Sequence, residues 1–176
     1  MAGLPEEFFA TLKALGIAET PQILWVSVAE QRLRLFVSRL PVADYQISTA
    51  KAGVGCRKNS HQTPVGLHRI AQKIGDRQPP GMIFKERQPT TVWKSETNTN
   101  RQSDLILTRI LWLEGLQPDV NQGGDVDTFA RYIYIHGTNH EESIGQPASH
   151  GCVRMRNRDV LDLFDGVEVG SLVWIV

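Results

Sequence analysis

Segments in which apolar and polar residues alternate dominate the chain after Pro21, and this alternation constrains the fold most strongly. A period of two is typical of β-strands with one buried face, whereas an amphipathic helix has a period of 3.6. We predict strands at residues 22–29, 32–38, 43–50, 67–73, 105–113, 131–135 and 171–176. With no internal repeat, these short strands predict one mainly β domain, built as a sandwich or a partly closed barrel.

Two short α-helices accompany the strands. The first begins at Pro5-Glu6-Glu7 and ends at Gly16, because Pro and acidic residues favour the first turn and Gly terminates helices. The second begins at Asn157 and covers residues 157–167. We therefore divide the chain into an N-terminal helical extension, residues 1–21, and a main domain, residues 22–176.

Three segments lack this periodicity. Residues 53–66 are rich in turn formers and predict a loop of functional length. Residues 114–130 predict a Gly-, Asp- and Asn-rich loop. For residues 74–104, which are rich in Pro, Thr and Asn, we expect irregular structure over part of the surface.

The charge distribution argues against nucleic-acid binding. The 176 residues carry 19 Lys and Arg against 19 Asp and Glu, so the net charge is zero. Residues 51–101 nevertheless hold ten Lys and Arg against three acids. A general nucleic-acid binder needs a net basic face, so this segment predicts either a solvated surface or a site for a small anionic ligand.

The N-terminal twenty residues resemble an amphipathic helix and have neither the basic start nor the long apolar run of a secretory signal. No stretch has the eighteen or so apolar residues of a membrane span. We expect a cytoplasmic protein without a membrane partner, or a periplasmic one if the N-terminus was trimmed. The oligomeric state is left open.

One segment, IHGTNHEESIGQPASHGCVRM at residues 135–155, contains three of the five histidines and one of the two cysteines. Its H-x3-H and H-x-C spacings are not those of common zinc sites. We therefore predict no metal and no cofactor. An inert buried thiol is one alternative, and a thiol nucleophile with a histidine base is the other.

A reactive cysteine needs its thiolate form, and an imidazolium or turn amides lower the thiol pKa. We expect both beside Cys152, with the amides of Gly151 and Cys152 serving as an oxyanion hole. His136 follows a strand and is predicted to face Cys152 across a strand pair, with its ring oriented by the Gly137 carbonyl. His150 ranks below His136 as the base, because two positions along an extended chain span about 7 Å. His140 is expected to be solvated.

The pair of motifs IHGT and SHGCVRM resembles the catalytic domain of the YkuD-type L,D-transpeptidases. The segments ISTAKAGVG and TPVG match the earlier part of that family, and the resemblance covers about residues 22–176. It implies a mainly β fold and a cysteine acyltransferase that acts on peptidoglycan peptide stems.

By that pattern Cys152 is the nucleophile, His136 is the proton acceptor and donor, and Gly137 orients it. Ser149, His150 and Gly151 then shape the turn. Arg154 is a candidate clamp for a substrate carboxylate, with a surface ion pair to Asp159 or Asp162 as the alternative. Cys56 is expected to be a spectator thiol.

The implied substrate is a murein tetrapeptide, cleaved between diaminopimelate and D-alanine through a thioester. Because no signal peptide is visible, we favour water as the acceptor, which makes the protein an L,D-carboxypeptidase of murein recycling. The first alternative is an L,D-transpeptidase that forms cross-links. An alternative of another class is a non-catalytic peptidoglycan- or zinc-binding module.

Overall fold

The computed structural model describes residues 3–94 and 103–176. Its two helices are α1 (Glu6–Leu15) and α2 (Asn157–Gly166). The first five strands are β1 (Gln22–Ser27), β2 (Arg32–Val37), β3 (Leu40–Ser48), β4 (Gly66–Ile74) and β5 (Met82–Lys85). The remaining strands are β6 (Gln88–Val92), β7 (Ile106–Gly115), β8 (Tyr134–Thr138), β9 (Val153–Met155) and β10 (Leu172–Ile175).

The strands form one sheet in the order β4-β10-β1-β2-β3-β9-β8-β7-β5-β6. β4 also pairs with β7, so the eight strands from β4 to β7 in this order form a closed ring. The β5–β6 hairpin joins the ring at the start of β7, where Ile83 aligns with Leu107. The predicted mainly β fold with two short helices is confirmed, and of the two predicted forms, sandwich or partly closed barrel, the closed ring is nearer the barrel.

The ring encloses the largest cluster of buried apolar side chains. All eight of its strands contribute, and α2 adds Val160, Leu163 and Phe164 to the same cluster. This burial requires alternate strand residues to face inward, which explains the period of two in the sequence. The intervening residues face the outside of the ring.

Two smaller clusters cover parts of that outer face. Helix α1 packs through Phe8 and Leu12 on residues of β1, β2, β4 and β10. Gly16 ends this helix in the left-handed conformation, as predicted. The β5–β6 hairpin covers Ile110 of β7 and Tyr134 of β8. The proposed boundary at residue 21 stays a prediction.

Three local predictions were wrong. Within 74–94, where irregular structure was expected, the structure has the hairpin β5–β6, while residues 95–102 of that segment lie outside the described residues. Strand β9 was not predicted at all. The strand predicted at 131–135 is displaced, because Tyr132 has a φ of 57° in a turn and β8 begins only at Tyr134. His136 therefore lies inside a strand and not at its end. Among the described helices, none has the length and apolar character needed to span a membrane.

Candidate active site

Cys152 lies directly before β9 and beside the first residue of β8. The backbone N–H of Tyr134 donates to its Sγ at 3.3 Å, and Sγ lies 3.5 Å from the carbonyl oxygen of Tyr132. The side chain packs on the outer cluster with Phe129 and Tyr134. The thiol is thus held by main-chain atoms, under the edge of the β5–β6 hairpin.

His136 is not the cross-strand partner of Cys152. β8 and β9 are parallel, and His136 aligns with Arg154. Because Ile135 aligns with Val153, Tyr134 lies at the level of Cys152, and His136 follows two positions further along the same outer face. The predicted direct pairing is therefore replaced by a diagonal one.

The imidazole of His136 is buried, with 2% of the residue exposed, and its Nδ1 lies 2.7 Å from the carbonyl oxygen of Gly137. This is the contact expected from the sequence. A carbonyl only accepts hydrogen bonds, so Nδ1 carries the proton and Nε2 keeps its lone pair. Burial lowers the pKa of His136 below its ordinary value, although the charge of Asp104 opposes this shift. The ring is therefore neutral near pH 7.

The thiol of Cys152 is shifted in the opposite direction. Burial raises its pKa to about 11, and the Tyr134 N–H and the charges of Arg154 and Arg131 offset only part of that effect. The sequence instead predicts a thiol pKa lowered by a neighbouring imidazolium. The expectation was wrong because His136 is itself buried and neutral. The resting pair consists of a neutral thiol and a neutral base.

Ser149 and Gly151 form the turn that presents Cys152. The Ser149 hydroxyl donates to the carbonyl oxygen of Cys152 at 2.6 Å and accepts the Gly151 N–H at 3.2 Å. Gly151 has a φ of 133°, which side-chain-bearing residues rarely adopt. The Gly151 amide, expected to donate to an oxyanion, is thus already hydrogen-bonded inside the turn.

The 53–66 loop is fastened to this turn by two residues that the sequence did not single out. The Thr63 hydroxyl donates to the carbonyl oxygen of Gly151 at 2.9 Å. The Arg131 guanidinium donates to the carbonyl oxygens of Cys56 at 3.0 Å and Gln62 at 2.7 Å. The TPVG motif was the available signal for Thr63, but no local pattern marks Arg131.

Arg154 is 4% exposed and forms an ion pair with Asp104, not with Asp159 or Asp162. Although burial opposes ionisation of Asp104, the Arg154 charge and hydrogen bond hold its carboxyl pKa below the usual value. Arg154 is therefore a buried, neutralised cation. Asp104 precedes it by fifty residues, so the sequence offered no local signal for this pair.

The other two histidines differ in exposure. The His150 side chain is 73% exposed, with Nδ1 3.4 Å from Asp104. The His140 side chain is only 23% exposed and lies between Glu142, at 3.2 Å, and the carbonyl oxygen of Ser103, at 3.3 Å. The expectation that His140 is solvated was wrong, because the turn after β8 folds back onto Ser103.

Two clefts meet at His150. The first, of about 310 Å³, is lined by Lys58, His61, Arg131 and Tyr132. The second, of about 270 Å³, is lined by Asp104, His140, Glu142 and Arg154.

Across the described ranges, no group of three or more His, Cys, Asp or Glu side chains is placed to hold a metal ion. Cys56 and Cys152 are both free thiols, and Cys56 Sγ is 3.8 Å from the carbonyl oxygen of Val65.

Sequence comparisons identify relatives of this chain. A probable L,D-transpeptidase, ErfK/SrfK, from Salmonella typhimurium is 35% identical over 151 residues, which cover 86% of this chain and 43% of that protein. A putative L,D-transpeptidase, YkuD, from Bacillus licheniformis is 39% identical over 92 residues, covering 49% of this chain and 50% of that protein. The chain thus spans half or less of the length of these relatives.

Solved structures share the fold. An L,D-transpeptidase from Xylanimonas cellulosilytica superposes with a TM-score of 0.54 at 18% identity, covering 98% of this chain and 71% of that one. L,D-transpeptidase 3 from Mycobacterium tuberculosis gives 0.55 at 13% identity, covering 89% and 61%. The family model of the YkuD L,D-transpeptidase catalytic domain matches residues 21–175. The chain therefore belongs to the YkuD family of L,D-transpeptidase catalytic domains.

Proposed function

We propose that this protein is a cysteine acyltransferase that cleaves the bond between diaminopimelate and D-alanine in peptidoglycan tetrapeptide stems. The observation that carries the proposal is the neutral His136 ring. Its Nδ1–H is fixed by Gly137, and its Nε2 is a proton acceptor on the face that also carries Cys152. Family membership supports acyl transfer on peptidoglycan in general.

The arrangement of neutral groups favours proton transfer during attack and not a preformed thiolate. As Sγ bonds to the carbonyl carbon at the L-centre of diaminopimelate, the thiol proton moves to Nε2 of His136. The carbon–nitrogen bond then breaks, and the imidazolium returns that proton to the amine of the departing D-alanine. A thioester on Cys152 remains.

Water resolves the thioester in our preferred mechanism. His136 Nε2 takes a proton from the attacking water, the carbon–sulfur bond breaks, and the sulfur regains a proton as the tripeptide leaves. The first cleft, of about 310 Å³, is of a size to hold part of a single stem. Hydrolysis needs no second peptide site.

We propose a cytoplasmic location for this L,D-carboxypeptidase, which fractionation of the native host would test.

One observation favours the transpeptidase alternative. The second cleft carries the carboxylates of Asp104 and Glu142 beside His150. Asp104 is already paired with Arg154, so the Glu142 carboxylate is the group that attracts the ammonium of a second stem. After that ammonium gives one proton to solvent, its nitrogen would attack the same thioester in place of water, with His136 Nε2 taking the second proton and returning it to the departing sulfur.

Turnover assays separate these outcomes. We expect purified protein to convert tetrapeptide into tripeptide and free D-alanine, and Cys152→Ala and His136→Gln to abolish that release. Added amine acceptor should leave tripeptide as the main product. Dimeric product would overturn the preference for water, and no turnover with either substrate set would overturn the enzyme proposal.

Covalent labelling offers an independent test of the nucleophile. A related L,D-transpeptidase was solved in complex with imipenem, and another with a faropenem-derived adduct. We expect imipenem to add one covalent equivalent to the wild-type protein by intact mass. Cys152→Ala should remain unmodified and Cys56→Ala should react normally. Labelling that follows Cys56 instead would exclude Cys152 as the nucleophile.

A further inference from the structure

Arg87 lies at the tip of the β5–β6 hairpin, in a two-residue turn formed with Glu86. Lys85 aligns with Gln88, and both turn residues have positive φ, 50° for Glu86 and 68° for Arg87. Positive φ at both positions is the usual geometry of a tight hairpin turn, because it matches the twist of the strands. The turn therefore places a long cationic side chain at the tip of the β5–β6 hairpin.

Aromatic rings hold the guanidinium of Arg87 in one place. Its Cζ lies 5.0 Å from the ring centroid of Trp112 and 4.9 Å from that of Tyr132. One of its nitrogens donates to the Tyr134 hydroxyl at 3.3 Å. Cation–π contacts within about 6 Å are attractive, so the cation is positioned before any ligand arrives.

Two of these aromatic residues also contact Cys152 through their backbone atoms. The backbone N–H of Tyr134 donates to Sγ, and the carbonyl oxygen of Tyr132 lies 3.5 Å from it. Tyr134 thus contacts the thiol at its backbone and Arg87 at its hydroxyl. Tyr134 therefore links the guanidinium to the proposed nucleophile.

Arg87 also differs from the other arginines near Cys152 in its partners. Arg154 is paired with Asp104, and Arg131 donates to carbonyl oxygens of the 53–66 loop. Within the described ranges, no carboxylate lies within ion-pair distance of Arg87. A guanidinium has five N–H donors, of which Tyr134 takes one. Arg87 therefore retains both its charge and most of its hydrogen-bonding capacity.

We propose that Arg87 binds the C-terminal carboxylate of the peptide stem, the carboxylate of the D-alanine that leaves. This inference rests on the proposed function. The terminal carboxylate belongs to the residue that follows the carbonyl attacked by Cys152. Because one extended residue spans about 3.5 Å, the carboxylate lies about that far from the attacked carbonyl. A planar guanidinium binds a carboxylate bidentately, which fixes both the position and the direction of the terminal residue. Arg87 is thus a specificity residue for stems with a free end.

The test compares two substrates and two variants. Wild-type protein and Arg87→Gln are assayed with the tetrapeptide acid and with the same peptide amidated at its C-terminus. We expect Arg87→Gln to lower kcat/KM for the acid by about 10- to 100-fold, chiefly through KM, and to leave the amide unchanged relative to wild type. Arg87→Lys should fall between them, because lysine keeps the charge without the planar fork.

Lys58 provides the matched control, since it is an exposed cation that lines the first cleft. Lys58→Gln should slow the acid and the amide by the same factor. If Arg87→Gln slows both substrates equally, Arg87 only supports the hairpin and the inference is overturned. Should that variant not fold, equal turnover of acid and amide by the wild type would also overturn it. Absence of wild-type turnover on either peptide would instead refute the proposed function.

Discussion

Burial shifts the pKa values of His136 and Cys152 in opposite directions, and this has a consequence for activity. The pKa of His136 lies below 6.5, and that of Cys152 is raised to about 11. The required state, neutral base and neutral thiol, is therefore populated between these limits. We expect kcat/KM for the tetrapeptide to be level through neutral pH and to fall only below pH 6.5, as His136 becomes protonated.

This profile is measurable between pH 5 and 8, where the carboxylates of the stem do not titrate. A circular dichroism spectrum at each pH controls for unfolding. An acidic limb centred above pH 6.5, or a bell centred between pH 6 and 8, would instead indicate a thiolate–imidazolium pair.

Gly137 has a packing role as well as a carbonyl that orients His136. A Cβ at this position would lie 2.7 Å from the carbonyl oxygen of Leu107 and would also clash with the side-chain oxygen of Asn157. Because the first contact is with backbone, no side-chain rotation relieves it. We expect Gly137→Ala to destabilise the fold by about 1–3 kcal/mol and to reduce activity strongly.

Urea unfolding and turnover measure the two effects of Gly137→Ala. Gly3→Ala is the control, because a Cβ there has no heavy atom within 4 Å. Unchanged stability of Gly137→Ala would show that β7 moves aside without cost.

The residues predictable from the sequence were those that lie close together along the chain. His136, Gly137 and Cys152 belong to one twenty-one-residue segment, and their chemistry marks them. Asp104, Arg131 and Arg87 come from other segments, and only strand pairing brings them to the site. The pKa of the thiol was also mispredicted, since burial follows from packing that no local pattern specifies.

At the scale of elements, a bulge in β7 faces β8, the strand that contains His136. The β7–β8 register shifts between Leu107 and Ile110, next to Gly137 and His136. Thr108 in this bulge is fully buried and has a φ of 73°, an unusual conformation for a β-branched residue. Such strain persists only where surrounding contacts impose it.

The Thr108 hydroxyl supplies those contacts. It donates to the Asn157 side-chain oxygen at 2.6 Å and accepts the Gly81 N–H at 3.0 Å. The amide of Asn157 in turn donates to the carbonyl oxygen of Thr138 at 2.8 Å, at the end of β8. The Thr108 hydroxyl and the Asn157 side chain thereby join the start of α2, the bulge and strand β8.

We therefore expect Thr108→Val to destabilise the protein by about 1–3 kcal/mol, because two part-buried polar partners lose their hydrogen bonds. It should also lower kcat more than it raises KM, since β8 contains His136, the proposed base. Thr108→Ser keeps the hydroxyl and serves as the control, with near-normal unfolding and turnover. Equal stability of the Val and Ser variants would contradict this role.

The elements that the sequence did not predict are those with weak local patterns. β6, QPTTV, is a largely exposed edge strand, and β9 has only three residues. The pattern RYIYI predicted a strand that begins three residues too early. Tyr132 and Tyr134 are the same residue type, but Tyr132 lies in a turn and Tyr134 begins β8. Helix α1 was predictable because Gly16 and the first-turn acids mark its ends.

At the scale of the whole molecule, closure of the ring assembles the site. The sequence predicted a sandwich or a partly closed barrel, but the pairing of β4 with β7 that completes the ring joins distant segments. The β4–β7 pair lies beside the loops that carry Thr63 and Arg131. A polar residue buried at this closure therefore influences the stability of the entire fold.

His68 of β4 is that residue. It is fully buried, with Nδ1 3.0 Å from the carbonyl oxygen of Gly66 and Nε2 3.2 Å from the Thr128 hydroxyl. Burial, together with the charge of Arg131, lowers its pKa to about 4 from the ordinary value of 6.5. The unfolded chain therefore binds a proton between pH 6.5 and pH 4 that the folded chain does not.

Stability consequently falls as the pH decreases through that window, by up to about 3 kcal/mol from this group. We expect the free energy of unfolding in urea to drop between pH 7 and pH 4.5, and His68→Gln to show a shallower drop even if it is less stable at pH 7. His136 shifts in the same direction, so part of the dependence should persist in this variant. His61→Gln, at an exposed position, should retain the full wild-type slope. An identical slope in His68→Gln and the wild type would show that His68 becomes protonated in the folded protein without disrupting the β4–β7 pair.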